Sequence, residues 1–353
     1  MARLRRVDSS EPGITRHRRG RGFEYRDSSG RRVTDRDVLD RIRQLAIPPA
    51  WKDVWICSIP NGHLQAVGTD AAGRRQYLYH RRWRERRDQA KFQHMIEFGR
   101  ALARMRKAAT RHLARDGFPK ERVLACAVRL LDIGFFRVGS EDYAEENGTY
   151  GLATIEKRHV SLDGDEIRFD YEAKGGKRRI QSVLDPDVAG VVRGLKRRRG
   201  GGPDLLAYRD DGGWHDVRSE DINAYIKEIA GGDFTAKDFR TWNATVLAAL
   251  SLALTADGET TRTSRKRTMA AAVRQVADFL GNTPAVCRNS YIDPRVFDRF
   301  RGGITIRQAV GQVERVDPET MPKLHGRIEE AVLDLLEDEI PAVAQIDQVD
   351  RAA

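Results

Sequence analysis

The sequence is poor in cysteine and lacks the short motifs that mark the commonest nucleotide- and metal-dependent enzymes. Cys57, Cys126 and Cys287 are the only three cysteines in 353 residues. An odd, widely spaced set forms neither a disulfide framework nor a zinc signature, so the thiols are expected to be packing groups in a reducing cytoplasm. No GxxxxGK[ST] loop occurs; the nearest fragment, Gly175-Gly176-Lys177, runs into Arg178 inside an expected hairpin. HExxH, CxxC and EF-hand patterns are missing too, which removes the usual sequence support for ATP use and metal catalysis. No apolar run approaches the ~20 residues that span a bilayer, and MARLRRVDSS has no signal-peptide core.

Positive charge, by contrast, is abundant. Lysine and arginine number 63 against 52 acidic residues, a formal net charge of +11. That surplus suits a polyanionic partner, and with no membrane segment nucleic acid is favoured over an anionic bilayer. The apolar share of 40% and the length allow at least one sizeable core and suggest two domains.

Residues 1–29, rich in Arg, Gly and Ser, predict a basic, partly ordered arm. Residues 30–88 predict a small β-rich domain, with VWICSI, HLQAVGTD and QYLYH divided by turn chemistry at Pro60-Asn61-Gly62 and Ala72-Gly73. The charge run RRWRERRDQAKF leads into a second domain, 89–353, where helical spacing dominates. One β interlude, HVSLDGDEIRFDYEAKGGKRRIQSV, predicts three antiparallel strands turning at Asp163-Gly164 and Gly175-Gly176. RTSRKR (262–267) predicts a basic segment between helices. IEEAVLDLLEDEI predicts an acidic amphipathic helix with Ile328, Val332, Leu335 and Leu336 on one side. The expected class is α+β: a small β-rich N-terminal domain and a larger, mainly α-helical domain carrying a three-stranded sheet.

Four segments bear chemistry. FFRVGSEDY sets Arg137 between an aromatic pair and a helix start, and Lys174 stands at the mouth of the Gly175-Gly176 turn. TAKDFRTW spaces Lys237 and Arg240 on neighbouring helical turns. GNTPAVCRNSYI offers Thr283 as N-cap, Pro284 as first helical residue and Tyr291 about two turns on. Singly each has a bland account: a surface arginine, a solvated lysine, a helix-face pair, an amphipathic tyrosine. A nucleic-acid enzyme without a metal would have to stabilise phosphorane charge by other means, and arginine and lysine side chains can do this.

In order, GRRQYLYH, FFRVGSEDYAEENGTYGLATI, the hairpin lysine, TAKDFRTW and GNTPAVCRNSYI resemble the poxvirus-like branch of the type IB DNA topoisomerases, as found in bacteria. The resemblance runs from roughly Thr34 to Tyr291. It implies a catalytic domain of the kind shared with tyrosine recombinases, and a catalytic set of Arg137, Lys174, Arg240, Asn282 and Tyr291 with Lys237 as auxiliary. The family usually has histidine nine residues before the tyrosine, where this chain has Asn282. An amide donates a hydrogen bond but carries no charge and moves no proton.

The implied reaction is two transesterifications. Tyr291 attacks phosphorus, forms a 3′-phosphotyrosyl link and releases a 5′-hydroxyl, with Lys174 as general acid. One phosphodiester is exchanged for another, so neither ATP, metal nor other cofactor is implied. Gln76, Tyr77 and Tyr79 fall on the family's DNA-contacting segment, with Arg74 and Arg75 beside them and Tyr143 at a further contact position. A strand-packing role also suits at least one of the two strand tyrosines. Ser140 stands where some relatives carry lysine, and the arginines of 81–87 suit phosphate tracking. The implied partner is supercoiled duplex DNA clamped by a monomer, in the cytoplasm at the nucleoid. One alternative is a tyrosine recombinase, against which stand GRRQYLYH, the FFRVG context and lysine rather than histidine at 237. The other is a DNA-binding protein whose catalysis is weakened by Asn282.

Overall fold

The first residues show how a charged sequence can still build a sheet. In a computed structural model, β1 (Ile14–Arg19) and β2 (Gly22–Arg26) pair as an antiparallel hairpin. Ile14 is buried, while Arg16 lays its guanidinium over the Phe23 ring, 4.2 Å from the centroid. Arg16 also donates to the carbonyls of Trp51 (2.7 Å) and Pro48 (3.1 Å). An arginine stem covers apolar surface while its head satisfies backbone acceptors. Within the stretch 1–29 expected as a basic, partly ordered arm, Ile14–Arg19 and Gly22–Arg26 are strands of the N-terminal sheet.

The structure describes residues 3–139, 148–255, 261–310 and 326–337, so Ser140 and Tyr143 lie outside the described residues. The chain divides into two units, Met1–Gln93 and His94–Ala353.

In the first unit β3 (Lys52–Ile56), β4 (Leu64–Thr69) and β5 (Arg75–Tyr79) complete a five-stranded sheet of order β2-β1-β3-β4-β5. α1 (Arg36–Gln44) starts where the Asp35 carboxylate accepts from the backbone N–H groups of Asp37 and Val38. It packs Ile42 with Ile14, Val54, Ile56 and Ala66 in the core. Strand alternation then fixes β5: Leu78 leans on that core, whereas Arg75, Tyr77 and Tyr79 point outward. Both tyrosines are exposed, 46% and 38%, and their rings stack 6.2 Å apart. A core-packing role for either is therefore corrected. Gln76 is held by Asp70 (2.9 Å), which also pairs with Arg74, and Arg75 donates to Ser9 (2.7 Å).

The charge run expected as a link forms the opening turns of a long helix, α2 (Arg81–Leu113), and the division at Gln93/His94 falls inside it, a little beyond the expected residue 88. α3 (Lys120–Gly134) follows and ends where Phe135 takes left-handed φ 56°. The three strands expected from alternation are present as β6 (Val160–Asp163), β7 (Glu166–Ala173) and β8 (Lys177–Leu184), in that order and antiparallel. α4 (Pro186–Arg197) leads to a second hairpin, β9 (Ala207–Asp210) and β10 (Gly213–Asp216), which sequence reading missed although Asp211-Gly212 is a hairpin-turn signal.

Helices make up the rest: α5 (Ser219–Ala230), α6 (Ala236–Thr255), α7 (Arg262–Leu280), α8 (Pro284–Ser290), α9 (Pro294–Arg301), α10 (Arg307–Val310) and α11 (Arg327–Glu337). The basic segment 262–267 is another correction, since it opens α7. The Thr261 hydroxyl caps that helix by accepting from Ser264 N–H at 3.1 Å. α11 buries Ile328, Val332, Leu335 and Leu336 as its periodicity predicts. Glu329 also faces inward, accepting from Arg106 (2.6 Å) and Trp242 Nε1 (2.9 Å). Among the described residues, no helix is long and apolar enough to cross a membrane.

Candidate active site

α6 is almost wholly buried, so its first turns present side chains to the interior at fixed positions. Lys237 is exposed, and Arg240, one turn later, is only 4% exposed. Arg240 donates to the carbonyl of Phe135 (2.6 Å) and to that of Leu280 (2.9 Å), joining the ends of α3 and α7. The left-handed turn at Phe135 brings Arg137 alongside. Arg137 donates to the Gly281 carbonyl (3.1 Å) and to Asn282 Oδ1 (2.5 Å).

α7 ends at Gly281, φ 62°, where a Cβ would stand 2.7 Å from the Arg179 guanidinium. Glycine is favoured there by its left-handed conformation, and a side chain would also displace the Arg179 head. The Thr283 hydroxyl then accepts from Val286 N–H (3.3 Å), and Pro284 opens α8 as its spacing predicts. Tyr291 closes α8, donating its backbone N–H to Cys287 (3.0 Å). Its ring lies 5.2 Å from the Arg240 guanidinium carbon.

These side chains share one open cleft of about 510 Å³, lined by Arg137, Lys174, Lys237, Arg240, Asn282 and Tyr291, together with Thr149 and Tyr150. Every catalytic and auxiliary residue expected from sequence is thus brought together. Lys174 stands exposed at the tip of the β7–β8 hairpin. Gln76, Tyr77, Tyr79, Arg74 and Arg75 belong to the other unit.

Four buried polar side-chain atoms have no hydrogen-bond partner among the described residues, and three belong to this cleft: Arg240 Nε, Asn282 Nδ2 and Thr149 Oγ1. A buried unpaired polar group costs about 1–3 kcal/mol. Two of the three are obligatory donors, so the residues of this cleft hold hydrogen-bonding capacity that the described residues leave unmet. Burial lowers the proton affinity of Arg240, and the charge of Arg137 adds to the effect, while Tyr291 opposes it. An arginine so shifted stays charged at neutral pH. Burial pushes the Cys287 thiol up to about 11, which suits a packing group. Among the described residues, no three His, Cys, Asp or Glu side chains come together as a metal site.

Sequence reasoning missed Thr149 and Arg179. Neither has a local signature, because each is placed only by the fold.

A model of the eukaryotic DNA topoisomerase I catalytic core matches residues 80–315, and one of the bacterial DNA topoisomerase IB N-terminal domain matches residues 22–70. The chain belongs to the type IB DNA topoisomerases. The DNA topoisomerase 1B of Acanthamoeba polyphaga mimivirus is 30% identical over 286 residues, covering 79% of this chain and 85% of its own. The vaccinia virus (strain Copenhagen) DNA topoisomerase 1B is 22% identical over 67% of this chain and 72% of its own. The DNA topoisomerase 1 of Candidozyma auris is 26% identical over 73% of this chain but 34% of its own length. The enzyme class expected from the motifs, a type IB topoisomerase and hence an isomerase, holds against the recombinase reading.

Proposed function

We propose that this type IB topoisomerase relaxes supercoiled duplex DNA with Tyr291 as nucleophile, and that its charge-stabilising groups are organic cations and amides. The phenol gives up its proton to solvent as its oxygen attacks a backbone phosphorus and takes the 3′ phosphate; the 5′-oxygen leaves with a proton from Lys174, and religation reverses both transfers. Arg137 and Arg240 balance the charge that develops on the non-bridging oxygens. Asn282 donates through Nδ2, since its Oδ1 is already committed to Arg137. Lys237 is an auxiliary cation at the rim. The observation that carries this reading is the cluster of unpartnered buried polar atoms beside Tyr291.

The test is a negatively supercoiled plasmid with no particular recognition site, incubated in EDTA without nucleotide. A ladder of progressively relaxed topoisomers is expected. Strand exchange confined to paired sites, or no change in linking number, would overturn the proposal.

We further propose that the enzyme acts as a monomer on the cytoplasmic nucleoid, with both units contacting the duplex. Exposed Tyr77 and Tyr79 direct their hydroxyls to phosphates, and Gln76, Arg74, Arg75 and the arginines of 81–87 add polar and charged contacts. Tyr143, outside the described residues, belongs to the same proposal. Replacing both Tyr77 and Tyr79 with phenylalanine should weaken duplex binding about a hundredfold or more, since each hydrogen bond to a charged group contributes about 1.5–3 kcal/mol. Binding isotherms at several salt concentrations check this, and a steep fall of affinity with salt is expected. A flat response would exclude the arginine surface as a DNA contact.

A further inference from the structure

Arg179, on β8, has no part in the chemistry above, yet it reaches the same turn as the two arginines that do. It donates to the Phe279 carbonyl, and through Nε to Gln181 Oε1 at 2.6 Å. Gln181 in turn donates to the Gly134 carbonyl at 2.9 Å. The consecutive carbonyls of Phe279, Leu280 and Gly281 therefore each hold a different arginine: Arg179, Arg240 and Arg137. The last carbonyls of a helix lack intrahelical partners and carry the negative end of its dipole, which suits three guanidiniums. Arg179 and Arg137 flank Gly281 closely, lying 2.7 and 3.8 Å from where its Cβ would be. Buried Tyr171 backs Arg179 from β7.

Asn282 is the next residue in the chain. A shorter, uncharged side chain depends on its backbone for placement more than a histidine does, since it has no long-range charge attraction to tolerate a misfit. Displacing a group about 1 Å from productive geometry can cost on the order of 10²-fold in rate.

We propose that Arg179 is a positioning residue: by gripping Phe279 from β8 it fixes the end of α7, and so sets where Asn282 Nδ2 meets the scissile phosphate. This rests on the reading of Asn282 as a phosphate donor.

The test uses full-length Arg179→Met and Arg179→Lys, alone and combined with Asn282→Ala. Arg179→Met is expected to slow single-turnover cleavage about 10- to 100-fold with duplex affinity within about twofold of wild type. Arg179→Lys, which can still reach Phe279, is expected to recover most of that loss. In the Asn282→Ala background, Arg179→Met should cost less than about threefold more, because the residue it places is gone. Side-chain ¹⁵N–¹H₂ resonances of Asn282, identified by their absence in Asn282→Ala, should shift or broaden in Arg179→Met and return in Arg179→Lys. Losses that simply multiply in the double variant, or Asn282 resonances that stay in place, would overturn the proposal. Failure of the wild type to form a covalent adduct would instead sink the catalytic reading, and the resonances would still decide whether Arg179 positions Asn282.

Discussion

Tyr291→Phe is expected to leave the enzyme able to bind duplex DNA and unable to cut it. Removal of a nucleophilic oxygen has no partial substitute, so covalent adduct and relaxation should fall by at least about 10⁵-fold. Binding should survive within a few-fold for structural reasons. The Tyr291 backbone is set by Cys287, and the phenyl ring retained by phenylalanine keeps its face toward Arg240. The measurement is denaturing electrophoresis of a labelled duplex after mixing with enzyme, beside an equilibrium binding titration. A second tyrosine in the cleft makes the test sharp. Tyr150 also lines it, but its hydroxyl accepts from Arg158 at 3.1 Å and its ring packs on His159. Tyr150→Phe should therefore still form the adduct. Adduct formation by Tyr291→Phe, with its loss in Tyr150→Phe, would move the nucleophile to Tyr150.

Local grammar at turns and caps located the members of the candidate cluster, and the resemblance to the family joined them into one proposed site. Thr283-Pro284 announced α8 and so the place of Tyr291; Gly175-Gly176 announced the hairpin that carries Lys174. Helical spacing put Lys237 and Arg240 on adjacent turns but could not say which faced inward. Packing of Phe239 and Trp242 buries that face, and Arg240 goes with it. Sequence was weakest where arginine acts as structure. Arg16 covers Phe23 and ties down Trp51, so a stretch that composition marks as a loose arm is a hairpin. Arg179 likewise looks like one more charge in KRRIQ, yet it holds the end of a helix a hundred residues away. Charge counts register such residues as solvent-facing, and only the tertiary acceptors show otherwise.

The same distinction between charge and geometry governs the second large effect, at Arg240. Lysine there would keep the charge, but an ammonium on a flexible stem cannot reproduce the planar fork that reaches both Phe135 and Leu280. One of two buried carbonyls would lose its donor, a cost of about 1–3 kcal/mol in stability. The unpartnered Nε, the proposed donor to phosphate, would vanish with the guanidinium. Loss of one preorganised donor at an oxyanion costs about 10²–10³-fold. Arg240→Lys should therefore slow cleavage by about 10³-fold while lowering the melting temperature only modestly, and Arg240→Ala should be worse on both counts. Single-turnover cleavage and thermal unfolding, measured on the same preparations, separate the two contributions. If Arg240→Lys cleaved within about threefold of wild type, the fork would be a structural staple between α3 and α7, and Nε would not be a donor the reaction needs. The expected result assigns Arg240 both tasks. On that outcome the carbonyls that anchor its Nη atoms would also hold Nε for the phosphate, so the stability cost and the rate cost would come from one guanidinium.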